Sequence, residues 1–249
     1  RNVATENLVH VEAIPREVLD RGLTWDWESF PQHMSATATR GIGINVGFLA
    51  ALSPFRHFVM GDEAMGRAAT AAETARIRAL LHEALTAGAL GMSLTVMPQH
   101  LGYKAQPLAC RLASHDELRS YAGILKDLGR GTIEIALTKQ PSTVSDKEYA
   151  LLELLASESG RPVTWLNLRD RDDAPEAWTE TLEKVAPLLA LGCRPQVAVR
   201  PLIVDFNLRN PFLFASMNSM KPVFEDKSVE AQKVVYAGAE FRGTFAAEL

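Results

Sequence analysis

The chain has few cysteines and no strong excess of charge of either sign. Its 249 residues include two cysteines, Cys110 and Cys193, too few for a disulfide framework or a zinc cluster. The usual redox logic predicts two reduced thiols in a cytosolic protein. Lys and Arg number 26, Asp and Glu 30, and the net charge is −4. Because the two signs are interspersed, we expect neither nucleic acid nor an anionic membrane surface as a partner.

Long apolar runs and several catalytic motifs are also missing. No run approaches the ~20 residues of a membrane span, and nothing near Arg1 resembles a signal peptide, so we expect a cytoplasmic protein. The sequence lacks the glycine-rich phosphate loop and the Gly-x-Ser-x-Gly elbow of one hydrolase class. It also lacks His-x-His, His-Glu-x-x-His and Cys-x-x-Cys, so no common metal-ligand spacing is present.

What the chain does have is a unit that recurs four times: a capping box, an apolar-striped helix, a glycine and an apolar strand. The boxes are Thr70–Glu73, Ser114–Glu117, Ser145–Glu148 and Asp173–Glu176. Each box satisfies free N–H groups at a helix start, and the glycine after each helix accepts the left-handed backbone that stops it. This alternation predicts parallel strands with crossover helices. With an apolar run before the first unit, the predicted strands are 43–50, 89–96, 132–138, 162–168 and 195–204.

The predicted fold class is α/β, a (β/α)8 TIM-type barrel of which this chain holds only part. The length is typical of one such barrel, but a closed barrel needs eight strands and the sequence shows five. We therefore expect a piece of a longer polypeptide, which its start at Arg1 rather than Met also suggests. The predicted organisation is an irregular initial segment with short helices over 1–40, five β/α units over 41–206, and a loop with a C-terminal helical segment over 207–249.

Polar residues on or just after these strands are the candidates for chemistry, since parallel α/β sheets carry function at the C-terminal ends of their strands. Those expected to face a small-molecule substrate are Ser93, Thr138, Lys139, Asn167 and Arg200. Lys139 is either a solvated lysine at a loop start or a cation that grips a substrate carboxylate.

Glu134 is unusual because it lies inside a strand, between Ile133 and Ile135. A charge inside an apolar strand is costly unless it is paired. Glu134 therefore either forms an interior salt bridge, for example with Arg200, or acts as a general acid/base whose pKa is raised by burial.

Two histidines, His57 and His100, follow the first two predicted strands. Either could line a site, but a structural role is the more common one for a single histidine.

Several segments together resemble the branch of the amidohydrolase superfamily that contains N-acyl-D-amino-acid deacylases (D-aminoacylases). They occur in the same order as in that family, over about residues 10–205. They are Thr24–Pro31, Gly43–Leu49, Phe55-Arg56, Val59–Gly61, Leu80–Ser93 and Ser159–Thr164.

The resemblance implies a zinc-dependent barrel hydrolase with a small β-domain, in which metal-bound water attacks an amide carbonyl and an aspartate is the base. The family's His-x-His pair and metal-binding cysteine precede the matched part, and its aspartate follows it. This chain has Ala51-Leu52 where the family has Gly-His, Ala136 or Thr138 where it has one histidine, and Asn167 where it has another. We therefore predict no metal ligands in this chain, with zinc implied by the family alone.

Three functional hypotheses follow. The first is a divergent hydrolase of an amide or related C–N bond in a small acylated or cyclic substrate, with Glu134 and Asn167 as catalytic residues. The second is a non-catalytic barrel that binds a small molecule or a partner protein after losing its metal ligands, because fold does not fix function. The third is a metal-independent lyase or isomerase with Glu134 as base. Expected partners are a substrate, the rest of the polypeptide or a complementary chain, and a possible second copy.

Overall fold

The architecture comes from a computed structural model. It describes residues 1–12, 14–103, 106–137, 143–168, 174–197, 199–200, 203, 205–215, 217–225 and 228–249, without the side chains of Asn167 and Phe212. These residues form two compact units. One comprises Arg1–Thr24, Pro98–Leu108 and Ile203–Leu249, and the other comprises Trp25–Met97 and Ala109–Leu202.

The second unit contains a parallel sheet of five strands in the order β1-β2-β3-β4-β5. The strands are β1 Leu49–Ala51, β2 Gly91–Thr95, β3 Thr132–Ala136, β4 Val163–Leu168 and β5 Cys193–Val197. Every neighbouring pair is parallel. Sequential order with parallel pairing is the arrangement found in one part of an α/β barrel.

Helices connect the strands and make up most of the remaining regular structure. The α-helices are α1 Asn2–Val11, α2 Arg16–Gly22, α3 Phe30–Arg40, α4 Leu52–Met60, α5 Ala71–Thr86, α6 His115–Leu128, α7 Asp146–Ser159, α8 Ala177–Leu189, α9 Lys221–Glu225, α10 Val229–Ala237 and α11 Ala239–Glu248. None of the helices in the described ranges has the length and apolar character needed to span a bilayer.

Three of the four predicted capping boxes are confirmed. Thr70, Ser114 and Ser145 each accept a hydrogen bond from the backbone N–H three residues later. The glutamate carboxylate at that later position accepts a hydrogen bond from the backbone N–H of the N-cap residue. The fourth box is wrong, because α8 begins three residues later than expected, with Glu176 at its N-cap and no side-chain cap bond. Asp173 lies outside the described residues.

The first and last strands are shorter than predicted. Residues 41–48 form no strand and are mostly exposed, with 78% of Ile44 accessible, so the apolar run there is not a buried strand. At the other end, β5 stops at Val197, and Val199 and Arg200 follow it as exposed bends. The prediction that β5 extends to residue 204 and includes Arg200 is wrong.

One face of the sheet packs on the helices and forms the core of this unit. Met92, Ile133, Val163 and Cys193 are in register across four strands and are at most 1% exposed. Trp165, two residues further along β4, is fully buried on the same face. The Cys193 thiol reaches the carbonyl of Leu152 in α7, which confirms that this face meets the helix layer.

A buried ion pair joins α4 to α6. Arg56 is fully buried and donates to the carboxylate of Glu117, which is 2% exposed. The same carboxylate accepts from the backbone N–H groups of Ala69 at 2.9 Å and Ser114 at 3.0 Å, and from the Tyr121 hydroxyl at 3.1 Å. One glutamate thus completes a capping box and neutralises a buried guanidinium.

The other unit is built around the C-terminal helices. Met220, Val223 and Phe224 form its small buried core, and Phe214, Phe241 and Phe245 are among the partly buried residues against it. The carboxylate of Glu248 accepts from the Ser219 N–H at 2.9 Å and so ties the end of α11 to the turn before α9.

We predict that Arg56→Met strongly destabilises the protein. The substitution leaves the Glu117 carboxylate buried without its cation, and breaking a buried pair in this way costs about 3–5 kcal/mol. Urea denaturation of wild type, Arg56→Met and the double variant Arg56→Met/Glu117→Gln measures the effect. We expect the double variant to be more stable than Arg56→Met, because its buried charge is gone. A loss below about 1 kcal/mol for Arg56→Met would contradict the role given to the pair.

Candidate functional site

A row of polar residues crosses the face of the sheet opposite the helices. Ser93, Glu134 and Thr164 are register partners on β2, β3 and β4, and each is half-buried. Strand side chains alternate between the two faces, so these three share the face that the apolar core leaves free. We call Ser93, Glu134 and Thr164 the polar row.

Glu134 is the ionisable centre of this row. Burial raises the pKa of its carboxyl above the ordinary 4.5. Within the described part of the chain, its side chain forms no ion pair or hydrogen bond with another residue. The salt bridge with Arg200 that the sequence suggested is absent among these residues, because Arg200 lies exposed beyond the end of β5. None of the described residues therefore competes with a ligand or a proton for this carboxyl.

Gln196 extends the polar row onto β5. Its side-chain amide donates to the Thr164 hydroxyl at 3.2 Å, and both residues are half-buried. Neither residue was among the candidates drawn from the sequence. The available signal was the alternation of apolar and polar residues along β4, where Thr164 lies between the buried Val163 and Trp165.

The pairing of β4 with β5 is irregular at the end that carries Asn167. Trp165 pairs with Pro195 and Leu168 with Val197, so three steps along β4 match two along β5. Such bulges bend a strand and re-aim its side chains, and they are common beside active sites. The backbone of Asn167 lies in this bulge.

The structure therefore places two of the predicted site residues, Ser93 and Glu134, on one face. Thr138 and Lys139 lie outside the described residues, as does the side chain of Asn167. The predicted site as a whole stays a prediction.

The two histidines lie in different units. His57 is on α4, where its Nδ1 is 3.3 Å from the carbonyl oxygen of Gly61, and burial lowers its pKa. His57 therefore contacts the backbone at the C-terminal end of its own helix. His100 belongs to the unit that holds Pro98–Leu108, beside the turn in which Leu101 pairs with Pro107.

The described residues do not fit a zinc ion. They contain no group of three or more His, Cys, Asp or Glu side chains arranged to hold a metal, whereas catalytic zinc needs about three protein ligands. Ala136, in the row above Glu134, carries no ligand atom. The amide of an asparagine, the residue type at 167, is a poor substitute for the imidazole, thiolate or carboxylate that zinc prefers.

A surface groove lies apart from the polar row, between the starts of α5 and α6. Small residues line it together with three charged ones, Arg78, Asp116 and Glu117. Arg78 is already engaged by Asp127 at 2.6 Å and by the carbonyl of Ser120 at 3.2 Å. Asp116 is paired with Arg119 and Glu117 with Arg56, so each charged residue of the groove already has a described partner.

We predict that Glu134→Gln removes a pH-dependent contribution to the free energy of unfolding. A carboxyl whose pKa is raised by folding favours the native state when protonated, so its contribution is present below pH 4.5 and is lost as pH rises through the raised value. The free energy of unfolding of Glu134→Gln relative to wild type should increase between pH 4 and pH 8. Urea titrations across that range measure it, with Glu153→Gln on the exposed face of α7 as the control. A difference that is constant with pH would contradict the raised pKa.

Comparison with known proteins gives a match at the level of solved structures. No family model matches the chain, and no curated protein sequence matches it. Its fold is similar to that of D-aminoacylase, an enzyme with a binuclear metal centre, with a TM-score of 0.51 and 22% identity. A D-aminoacylase mutant in complex with copper chloride gives the same values. Each match covers 74% of this chain and 36% of the other.

N-acyl-D-glutamate deacylase from Bordetella bronchiseptica, complexed with zinc and a phosphonate inhibitor, matches with a TM-score of 0.45 and 22% identity, over 68% of this chain and 33% of that one. The chain thus spans about a third of the length of the structures that it matches. Over the matched part it has the fold of D-aminoacylase, which confirms at the level of fold the amidohydrolase resemblance of its motifs.

Proposed function

We propose that the protein hydrolyses an amide or related C–N bond in a small acylated or cyclic substrate. Two lines support this proposal: the fold shared with D-aminoacylase and the polar row on the face opposite the helices. The observation that carries it is Glu134, a half-buried carboxyl without a described partner, in register with two hydroxyls.

Glu134 is suited to move a proton. A general acid/base works best when its pKa lies near the working pH, and burial shifts this carboxyl toward that range. In the proposed role it takes a proton from the attacking water or gives one to the leaving nitrogen. Ser93 and Thr164 flank it and would orient the reacting group by hydrogen bonds.

The remaining candidates complete the proposal. Asn167, at the bulge, would hold the carbonyl being attacked, and Thr138 would contact the substrate beside it. A cation, either Lys139 or Arg200, would grip a carboxylate on the substrate, since charge-assisted bonds to carboxylates are strong.

Further strands, supplied by the same polypeptide or by a complementary chain, would complete the sheet in this proposal. The support is that the structure pairs five strands among its described residues, whereas a closed barrel of this type has eight. We also propose a cytoplasmic location and leave a second copy of the chain as a possible partner.

The alternative proposal is a barrel that binds a small molecule without turnover. Ala136 favours it, because a methyl group stands where the resemblance implies a metal ligand. A lyase or isomerase with Glu134 as base is the third proposal. The three differ in their products: a free amine with a free acid, unchanged ligand, or a rearranged or eliminated product.

The decisive experiment incubates the full-length protein with N-acetyl-D-amino acids and their L-enantiomers and measures release of the free amine. We expect turnover, and we expect Glu134→Gln to lower kcat about 10²–10⁴-fold, the usual contribution of a general acid/base. Glu153→Gln serves as the matched control and should keep wild-type rates. Binding without amine release would favour the alternative, and full activity in Glu134→Gln would remove Glu134 from the mechanism.

Metal content forms a separate prediction. Because the described residues offer no zinc site, we expect no stoichiometric metal on the 249-residue chain and at most one zinc ion on a longer polypeptide. Elemental analysis of both proteins after dialysis measures it. Stoichiometric zinc on the 249-residue chain, or two ions on the longer one, would contradict the prediction.

A further inference from the structure

The hydrogen bond between Gln196 and Thr164 lies where the pairing of β4 and β5 changes. Below it the pairing is regular, with Val163 opposite Cys193 and Thr164 opposite Arg194. Beyond Trp165 the register shifts by one residue before pairing resumes at Leu168. The side-chain bond of 3.2 Å therefore joins Thr164, in the regular part of the pairing, to Gln196, at the shift.

A bulge leaves one residue without a ladder partner and weakens the pairing around it. The register of the two strands at the bulge therefore depends on contacts other than the backbone pairing, such as side-chain hydrogen bonds between them. Gln196 lies between Pro195 and Val197, where the register shifts, and its side chain reaches back to Thr164 in the regular part of the pairing. Diagonal neighbours on one face of a sheet lie within reach of long side chains.

The other polar side chain of β5 beside Thr164 is already bonded elsewhere. Arg194, the register partner of Thr164, donates from its Nη1 to the carbonyls of Leu189 at 2.7 Å and Cys193 at 2.8 Å. Its guanidinium therefore binds the start of β5 and not β4. The Gln196 amide is the described side-chain donor that crosses from β5 to β4.

Thr164 also has a neighbour on its other side. It is the register partner of Glu134 on β3, and neighbouring strands lie about 4.8 Å apart. A shift of β4 would therefore move Thr164 relative to Glu134, and it would also move the backbone at Asn167.

We propose that Thr164 and Gln196 are positioning residues of the candidate site, whose hydrogen bond sets the register of β4 below the bulge and so places the end of β4 against the substrate. This inference rests on the proposed function for its substrate, and on the described contacts for its geometry.

The first test measures local register without any substrate. Hydrogen–deuterium exchange followed by mass spectrometry compares wild type, Thr164→Val, Gln196→Leu and Thr164→Ser. Thr164→Val keeps the shape but removes the acceptor, whereas Thr164→Ser keeps the hydroxyl. We expect exchange in the peptide over β4 to rise about fivefold in the first two variants, the size of one lost hydrogen bond, with α6 unchanged and Thr164→Ser near wild type. Uniform change along the chain, or no change over β4, would overturn the proposal.

The second test uses the amide substrate that wild type turns over. We expect kcat/KM to fall about tenfold in Thr164→Val and in Gln196→Leu, to fall no further in the double variant, and to recover in Thr164→Ser. Additive losses would overturn the coupling. Unaltered kinetics with altered exchange would show a purely structural bond and would also overturn the positioning role. If wild type hydrolyses nothing, the proposed function fails, while the exchange experiment still decides whether the pair sets the register.

Discussion

The buried ion pair of Arg56 with Glu117 determines how the helices meet around the ends of β1 and β2. Each charge is almost fully excluded from water, and a buried charge is tolerated only with a partner. Arg56 also donates to the carbonyl of Arg67 at 2.8 Å, so the pair spans α4, the segment before α5 and the start of α6. The Tyr121 hydroxyl beside it has its pKa raised by burial and by the Glu117 charge. Because Arg56, two backbone N–H groups and the Tyr121 hydroxyl all donate to the Glu117 carboxylate, a shift of one of these elements would break bonds to the others.

A second ionic cluster continues this arrangement toward the surface. Arg67 binds the carboxylates of Glu63 and Glu73 at 2.5 and 2.8 Å, and Arg67 holds the pKa of Glu73 at about 2. Glu73 belongs to the capping box of α5. The starts of two helices are thus fixed by neighbouring arginines, one buried and one exposed.

The sequence predicted the elements that depend on local signals and missed those that depend on distant contacts. The boxes at Thr70, Ser114 and Ser145 act within four residues, so their pattern is visible in the chain. The apolar run over 41–48 is different: a Cβ at Gly47 would lie 2.2 Å from the Leu90 side chain, so that segment passes closely over another residue rather than forming a strand. The Arg56–Glu117 pair joins positions 61 residues apart, and no periodicity reveals it.

The candidate site was predictable only in part for the same reason. Glu134 stands out because a carboxylate between two isoleucines is unusual in any strand. Thr164 on β4 and Gln196 on β5 are ordinary strand residues, and their importance comes from the register that brings them together. The bulge beside Asn167 is likewise a property of two strands, and neither strand shows it alone.

The chemistry of this face depends on the environment of one carboxyl. Burial without a described cation raises the pKa of Glu134, whereas a nearby divalent cation would favour the charged form and lower it. Proton transfer by Glu134 and coordination of a metal by the same carboxyl are therefore opposing demands. Ala136, in the row above, supplies no ligand that could hold a metal while leaving Glu134 free. If Glu134 is the general acid/base of the proposed hydrolase, a metal bound by the complete protein would be held by other residues.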